Sequence, residues 1–299
     1  MLANLFLDNV LPPLLIVAVG YLLDRTQGVE LRTLSRVALY VFTPALILGS
    51  LVESRVGGGE FGKIALFVVL FTGLLWAGGL ALGRLLRFSQ RQTNAFLLST
   101  LFTNCGNYGL AVVLFAFGQP GLERGLVFFV VSALLTHTLA AYFASRGAFS
   151  VGQSVRNIFR LPLVYAVVAA LAVRALGVTL PTPVLRAISL PRAGAIPIMQ
   201  LLLGVQLARV SRGVDRRFIA LAVAVRLVGG AALAVGLSTA LGLEGLARSV
   251  SIVQASMPTA VSTLALSVEF GSDPEEVGSA IFFSTLGSAV TLTVLLAYL

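Results

Sequence analysis

The stretch Thr103-Asn104-Cys105-Gly106-Asn107-Tyr108-Gly109 places amides and glycines in the middle of an apolar run, residues 95–117, long enough to cross a bilayer. Hydrocarbon offers no water to satisfy polar groups, so loosened backbone at that depth survives only inside protein or along a cavity. In the second half of the chain another apolar run, residues 246–270, is interrupted by Gln254-Ala255-Ser256-Met257-Pro258-Thr259-Ala260. Two interrupted spans at corresponding positions in two halves are the pattern by which a transporter's substrate site shows in sequence.

The chemistry of such a site follows from the backbone. If both spans are broken near the midplane and cross, each break frees N–H groups at the start of its second half-helix, where the partial charge is positive. Two such ends facing one cavity suit a carboxylate. Pro258 fits the first turn of a half-helix, with Ser256 or Met257 at the cap. Asn107 fits the cap of the other, and Gly106 and Gly109 permit unusual backbone angles beside it. Asn104, Asn107, Ser256, Thr259 and Ser262 add donors and acceptors without formal charge, and Tyr108 could gate them. Cys105 falls inside the first interruption and should border the cavity. Arg226, a cation in mid-span, either holds the anion or ties the scaffold through backbone carbonyls. The expected substrate-binding set is therefore Asn104, Gly106, Asn107, Tyr108, Gly109, Ser256, Met257, Pro258, Thr259, Ser262 and Arg226. Gln200 and Gln206 are further candidates for the wall. His137, the sole histidine, reads as a packing residue rather than a proton relay. No acidic residue occupies the middle of a span, so neither an acidic proton relay nor a metal site is expected, and no cofactor is called for.

The chain of 299 residues is 58% hydrophobic and 11% charged, with a mean hydropathy of +0.98. Soluble domains carry roughly 25% charged residues, so the expectation is an all-α polytopic membrane protein. The net charge of +9 comes from short basic loops between spans, which excludes a nucleic-acid partner as its explanation. The first apolar run lacks a basic leader and a small-residue cleavage site and reads as a retained span. One cysteine leaves no internal disulfide.

Ten apolar segments can be cut, at 5–23, 34–52, 61–82, 95–117 and 125–144 in the first half. Those in the second half lie at 155–173, 184–207, 218–241, 246–270 and 277–298. Arg25, Arg32, Arg36, Arg84, Arg87, Arg91, Arg146, Arg156, Arg160, Arg209, Arg212, Arg216 and Arg217 fall on one side of the alternating loops. Arg55, Lys63, Arg124, Arg174, Arg186, Arg192 and Arg248 fall on the other. The richer side should be cytoplasmic, leaving both termini extracytoplasmic in the bacterial inner membrane. Pro12 and Pro162, Pro44 and Pro197, and Gly106 and Pro258 recur at an offset of about 150 residues, as an internal repeat requires. An odd number of spans per copy inverts the second, giving two five-helix repeats, residues 1–150 and 151–299.

In order and spacing the chain resembles the auxin efflux carrier family, the bacterial relatives of plant PIN transporters. The resemblance rests on Gly20-Tyr21-Leu22, on Leu34-Ser35-Arg36 leading into Tyr40-Val41-Phe42-Thr43-Pro44-Ala45-Leu46, and on Asn104-Cys105-Gly106-Asn107-Tyr108-Gly109. It continues through Leu203-Gly204-Val205-Gln206-Leu207, Met257-Pro258-Thr259-Ala260-Val261-Ser262 and Ser284-Thr285-Leu286. It implies ten helices in two inverted repeats with crossed, broken helices 4 and 9, carriage of organic anions such as auxin or small dicarboxylates, and an elevator-like movement. Ala111 stands where the family commonly has proline, so a fourth span broken as sharply as the ninth is not required there. The expected function is a secondary transporter of small carboxylates, with substrate and bilayer as partners and a homodimer left open. The alternative is a sodium-coupled carrier of the bile-acid symporter type, although sodium sites commonly draw on carboxylates. An intramembrane enzyme is disfavoured, since no G-x-S-x-G, H-E-x-x-H or intramembrane aspartate pair occurs.

Overall fold

A computed structural model describes residues 1–144, 159, 161–210, 215–269 and 271–299. Among these the fold is all-helical, and the only β-type pairing is an isolated bridge between Thr103 and Thr259. Three helices open the chain: α1 (Leu2–Gln27), α2 (Leu31–Glu53) and α3 (Gly58–Leu85). A short α4 (Gln90–Leu101) follows, and then a π-helical turn, Cys105–Gly109, leads into α5 (Leu110–Ala144). The second half holds α6 (Pro162–Ala175), α7 (Thr182–Ala208) and α8 (Arg216–Ala240). It ends with α9 (Gly245–Ala255), α10 (Thr263–Glu269) and α11 (Pro274–Tyr298). Seven helical stretches among the described residues are long and apolar enough to cross a membrane; α6 is apolar but shorter.

The ten segments cut from the sequence do not map one to one onto helices. Segments 95–117 and 246–270 are each split in two, as their interruptions led one to expect. Segment 125–144 instead joins the second piece of 95–117 within α5, across Gly118 (φ 64°, ψ −162°), which is not helical. Only a residue without a Cβ adopts that geometry cheaply, so two helices meet there. The start of segment 155–173, with Arg146, Arg156 and Arg160 and likewise Arg212, lies outside the described residues.

Local chemistry explains the boundaries. Ser89 and Gln92 form a reciprocal capping box for α4, with Gln92 N–H donating to Ser89 Oγ at 3.2 Å and Ser89 N–H to Gln92 Oε1 at 3.1 Å. Asp215 accepts from Arg217 and Phe218 N–H at the start of α8, and Asp273 accepts from Glu275 N–H ahead of Pro274 in α11. Within α1 and α2 the π-helical turns Phe6–Val10 and Ala38–Phe42 sit directly before Pro12-Pro13 and Pro44. Proline cannot donate to the carbonyl four residues back and crowds it, and a widened turn relieves both problems.

The helices sort into two packed groups. α1 and α2 pack on α7, and α2 also packs on α6. α3, α4, α5, α8, α9, α10 and α11 pack chiefly on one another. The α1–α7 contact is a backbone approach: a Cβ at Gly20 would lie 2.2 Å from Leu201 O, and one at Gly204 2.0 Å from Val17 O. Small residues are what let membrane helices come this close. Outward faces are apolar, with Leu15, Val19 and Leu22 of α1 and Leu66, Val69 and Leu70 of α3 exposed. A water-soluble chain would hide faces of this kind, whereas lipid covers them at no cost.

Candidate functional site

The two interruptions meet. α4 stops at Leu101 because Phe102 turns extended (φ −98°, ψ 117°), and α9 stops at Ala255. Asn104 N–H then donates to Pro258 O at 2.8 Å, and Ala260 N–H donates to Phe102 O at 2.9 Å. These two bonds make the antiparallel Thr103–Thr259 bridge and satisfy backbone that neither helix can satisfy. Thr259 locks the crossing further, its Oγ1 donating to Ser99 O at 2.6 Å and its N–H to Ser284 Oγ at 3.1 Å.

This pairing displaces both expected caps. The second piece of the first span restarts at Cys105 with Asn104 as its cap residue, and Asn104 O accepts from Tyr108 and Gly109 N–H at 3.3 and 2.9 Å. Asn107 therefore lies within the first turn. In the other span Pro258 and Ala260 are committed to the crossing, so α10 begins only at Thr263, whose Oγ1 donates to Ala260 O at 2.7 Å. The first span is broken despite Ala111, because the extended residues precede that position.

Arg226 is fully buried in a π-helical turn of α8 (Val225–Gly229). Its Nη1 donates to Thr100 O at 2.6 Å and its Nη2 to Ala255 O, while the guanidinium lies over the Phe71 ring, 5.6 Å from the centroid. Thr100 and Ala255 sit in the last turns of α4 and α9. One cation thus answers the carbonyls and negative dipole ends of both first half-helices.

A cavity of about 410 Å³ opens beside the crossing, within the size range of small-molecule sites. Of the residues expected at the site, Asn104, Gly106, Asn107 and Ser262 line it, and so does Cys105, which is only 4% exposed. Tyr108, Gly109, Ser256, Met257, Pro258, Thr259 and Arg226 do not reach the wall; they are buried behind it, where Pro258, Thr259 and Arg226 hold the crossing. Gly109 is needed there, since a Cβ would stand 2.0 Å from Gln254 Oε1 and 3.0 Å from Met257 Cγ. Further wall residues come from α2 (Ser35, Thr43), α3 (Phe71, Thr72), α5 (Ser132, Thr136, His137) and α7 (Met199, Gln206), with apolar contributions from α6 and α10. Gln200 is buried away from it.

Ser132, Thr136 and His137 were absent from the expected set. For Ser132 and Thr136 a signal was available, since they are one helical turn apart on a single face; His137, one residue on, lies on a different face. Electrostatically the wall is neutral, with no Asp, Glu, Lys or Arg among the described residues that form it. Its polarity comes from amides, hydroxyls and the opening N–H groups of the Cys105 turn. Asn104 Nδ2 and Gln206 Oε1 are buried without a hydrogen-bond partner among the described residues. An unpaired buried donor costs about 1–3 kcal/mol, which a ligand oxygen on Asn104 would recover. No group of His, Cys, Asp and Glu able to hold a metal occurs among the described residues.

Apolar outer faces, two helices broken and paired through backbone, and a neutral polar cavity beside the break define a multi-pass membrane protein built around discontinuous helices. The comparisons agree. The model of the family described as "Membrane transport protein" matches residues 5–151 and 145–296, and the chain belongs to this family, that of the auxin efflux carriers. It is 24% identical over 297 residues to an uncharacterized transporter of Methanocaldococcus jannaschii, covering 96% of each chain. To an uncharacterized transporter of Methanothermobacter thermautotrophicus it is 27% identical over 299 residues, covering 95% of each.

Proposed function

We propose that this protein is a secondary transporter of small organic anions, binding a carboxylate in the cavity at the crossing. The observation that carries the reading is the unpaired Asn104 amide beside the opening turn of a half-helix, on a wall without fixed charge. An anion there meets oriented N–H groups and recovers the unmade hydrogen bond, while nothing negative repels it.

In this reading the chain forms ten membrane segments, counting α4 with the first half of α5 as one, the second half of α5 beyond Gly118 as another, and α9 with α10 as one. Residues 1–150 and 151–299 are inverted copies, and the crossing of the fourth and ninth segments lies at their interface near the midplane. The group holding the crossing moves as an elevator against α1, α2, α6 and α7, with the close α1–α7 backbone contact as the rigid part of the frame. The basic loops face the cytoplasm of the bacterial inner membrane and both termini face outward.

Counterflow in proteoliposomes tests this proposal. Liposomes preloaded with an unlabelled mono- or dicarboxylate should accumulate the labelled compound, and Asn104→Ala should reduce that accumulation at least tenfold. Accumulation that requires sodium and accepts a steroid carboxylate but no small one would instead favour a bile-acid-type symporter.

A further inference from the structure

The cavity contains one basic ionisable group, and the function proposed above gives it no work. Among the described residues of the wall, only Cys105 and His137 can titrate. α4 contributes Leu101 to the wall, and its Arg91 stands at the opposite end of the helix. α2 carries Arg32 and Arg36 beside Ser35, the residue after α7 is Arg209, and α10 ends in Glu269, yet none of these charges lines the cavity. Arg209 is moreover paired with Asp24 at 2.6 Å. α3, α5, α6 and the segment before α10 add only apolar or uncharged polar side chains, apart from Cys105 and His137.

A carboxylate in such a space is incompletely neutralised. A half-helix N-terminus supplies roughly half an elementary charge, and amides supply dipoles only. Imidazole is the side chain whose ordinary titration lies nearest neutral pH, and an anion brought near it favours its protonated form. The placement allows this. His137 lines the same cavity as Asn104, Asn107 and Ser262. Water filling that cavity can deliver the proton.

Resting on the carboxylate reading, we infer that His137 is the proton-binding partner of the transported anion: a carboxylate enters together with one proton taken from water onto the imidazole. The proton's charge offsets the ligand's, and no bond is made or broken except the N–H formed on the ring. A monocarboxylate is then carried without net charge, and the second carboxylate of a small dicarboxylate pairs with the imidazolium.

Calorimetric titration of the purified protein with pyruvate and with fumarate, both fully ionised from about pH 5.5 to 8, tests the inference when repeated in two buffers of different protonation enthalpy. Wild type should take up between half and one proton per ligand at some pH in that range. Its affinity should rise as pH falls, by up to about tenfold per pH unit between the free and bound titration points. His137→Gln should bind with no proton uptake and with an affinity flat to within about twofold. Wild-type binding that is itself flat, with no proton exchanged between the buffers, overturns the inference while leaving the carboxylate site standing. Full pH dependence retained in His137→Gln overturns it as well. No binding of either acid by wild type at any pH overturns the carboxylate reading and this inference together.

Discussion

Replacing Arg226 by methionine removes the one cation that ties α4 to α9 while keeping an unbranched side chain of similar length. Two charge-assisted hydrogen bonds are lost, to Thr100 O and Ala255 O, each worth about 1.5–3 kcal/mol. The contact with the Phe71 ring goes with them, worth about 1 kcal/mol or more when desolvated. Against this, methionine no longer needs a guanidinium stripped of water, which offsets part of the loss. The net destabilisation is about 2–4 kcal/mol, and at about 2–4 °C per kcal/mol this lowers the unfolding midpoint by about 4–16 °C. Thermal unfolding in detergent, followed by intrinsic fluorescence, reads the shift. A folded variant should still bind carboxylate, weakened less than tenfold, because Arg226 does not reach the cavity wall. An unchanged midpoint with binding weakened far beyond tenfold would refute the reasoning and make Arg226 a ligand to the anion.

Other outcomes follow from the same geometry. Asn104→Ala and Asn107→Ala should each weaken carboxylate binding by about 1–3 kcal/mol at unchanged expression, read as a reduced ligand-induced thermal shift. Gly109→Ala should impair folding or flux, because the new methyl meets Gln254 Oε1 and Met257 together; flux equal to wild type would show that this crossing can yield. Gly204→Ala should cost more than an ordinary glycine change, since the obstacles are Val17 O and Tyr21 N rather than movable side chains, and a normal melting temperature would contradict the α1–α7 contact.

The class of fold was readable because long apolar runs and few charges leave little else to build, and both breaks were readable from Asn104, Gly106 and Pro258. Where each half-helix restarts was not. Pro258 resembles a first-turn proline locally, but its carbonyl and the Ala260 N–H are claimed by the other span, a pairing between residues far apart in the chain. The sequence left Arg226 between two roles for the same reason: its partners are carbonyls of α4 and α9, which bear no side-chain signature. His137 read as a packing residue because a lone histidine among apolar neighbours usually is one, and only the fold shows which face of α5 meets the cavity. The boundary at Gly118 was legible, because Gln119, Pro120, Glu123 and Arg124 interrupt the apolar run between segments 95–117 and 125–144.

The central claim is that a carboxylate occupies the cavity beside the crossing. Ser262 is exposed on that wall, and in a Cys105→Ser background Ser262→Cys gives a single thiol at the site. Its rate of labelling by a small water-soluble maleimide, with and without a carboxylate that shifts the melting temperature, is the direct measurement. The account predicts ready labelling, slowed at least fivefold by saturating ligand through direct shielding or a shifted population of open states. Labelling at a rate indifferent to a ligand that demonstrably binds would place the carboxylate elsewhere and contradict the account.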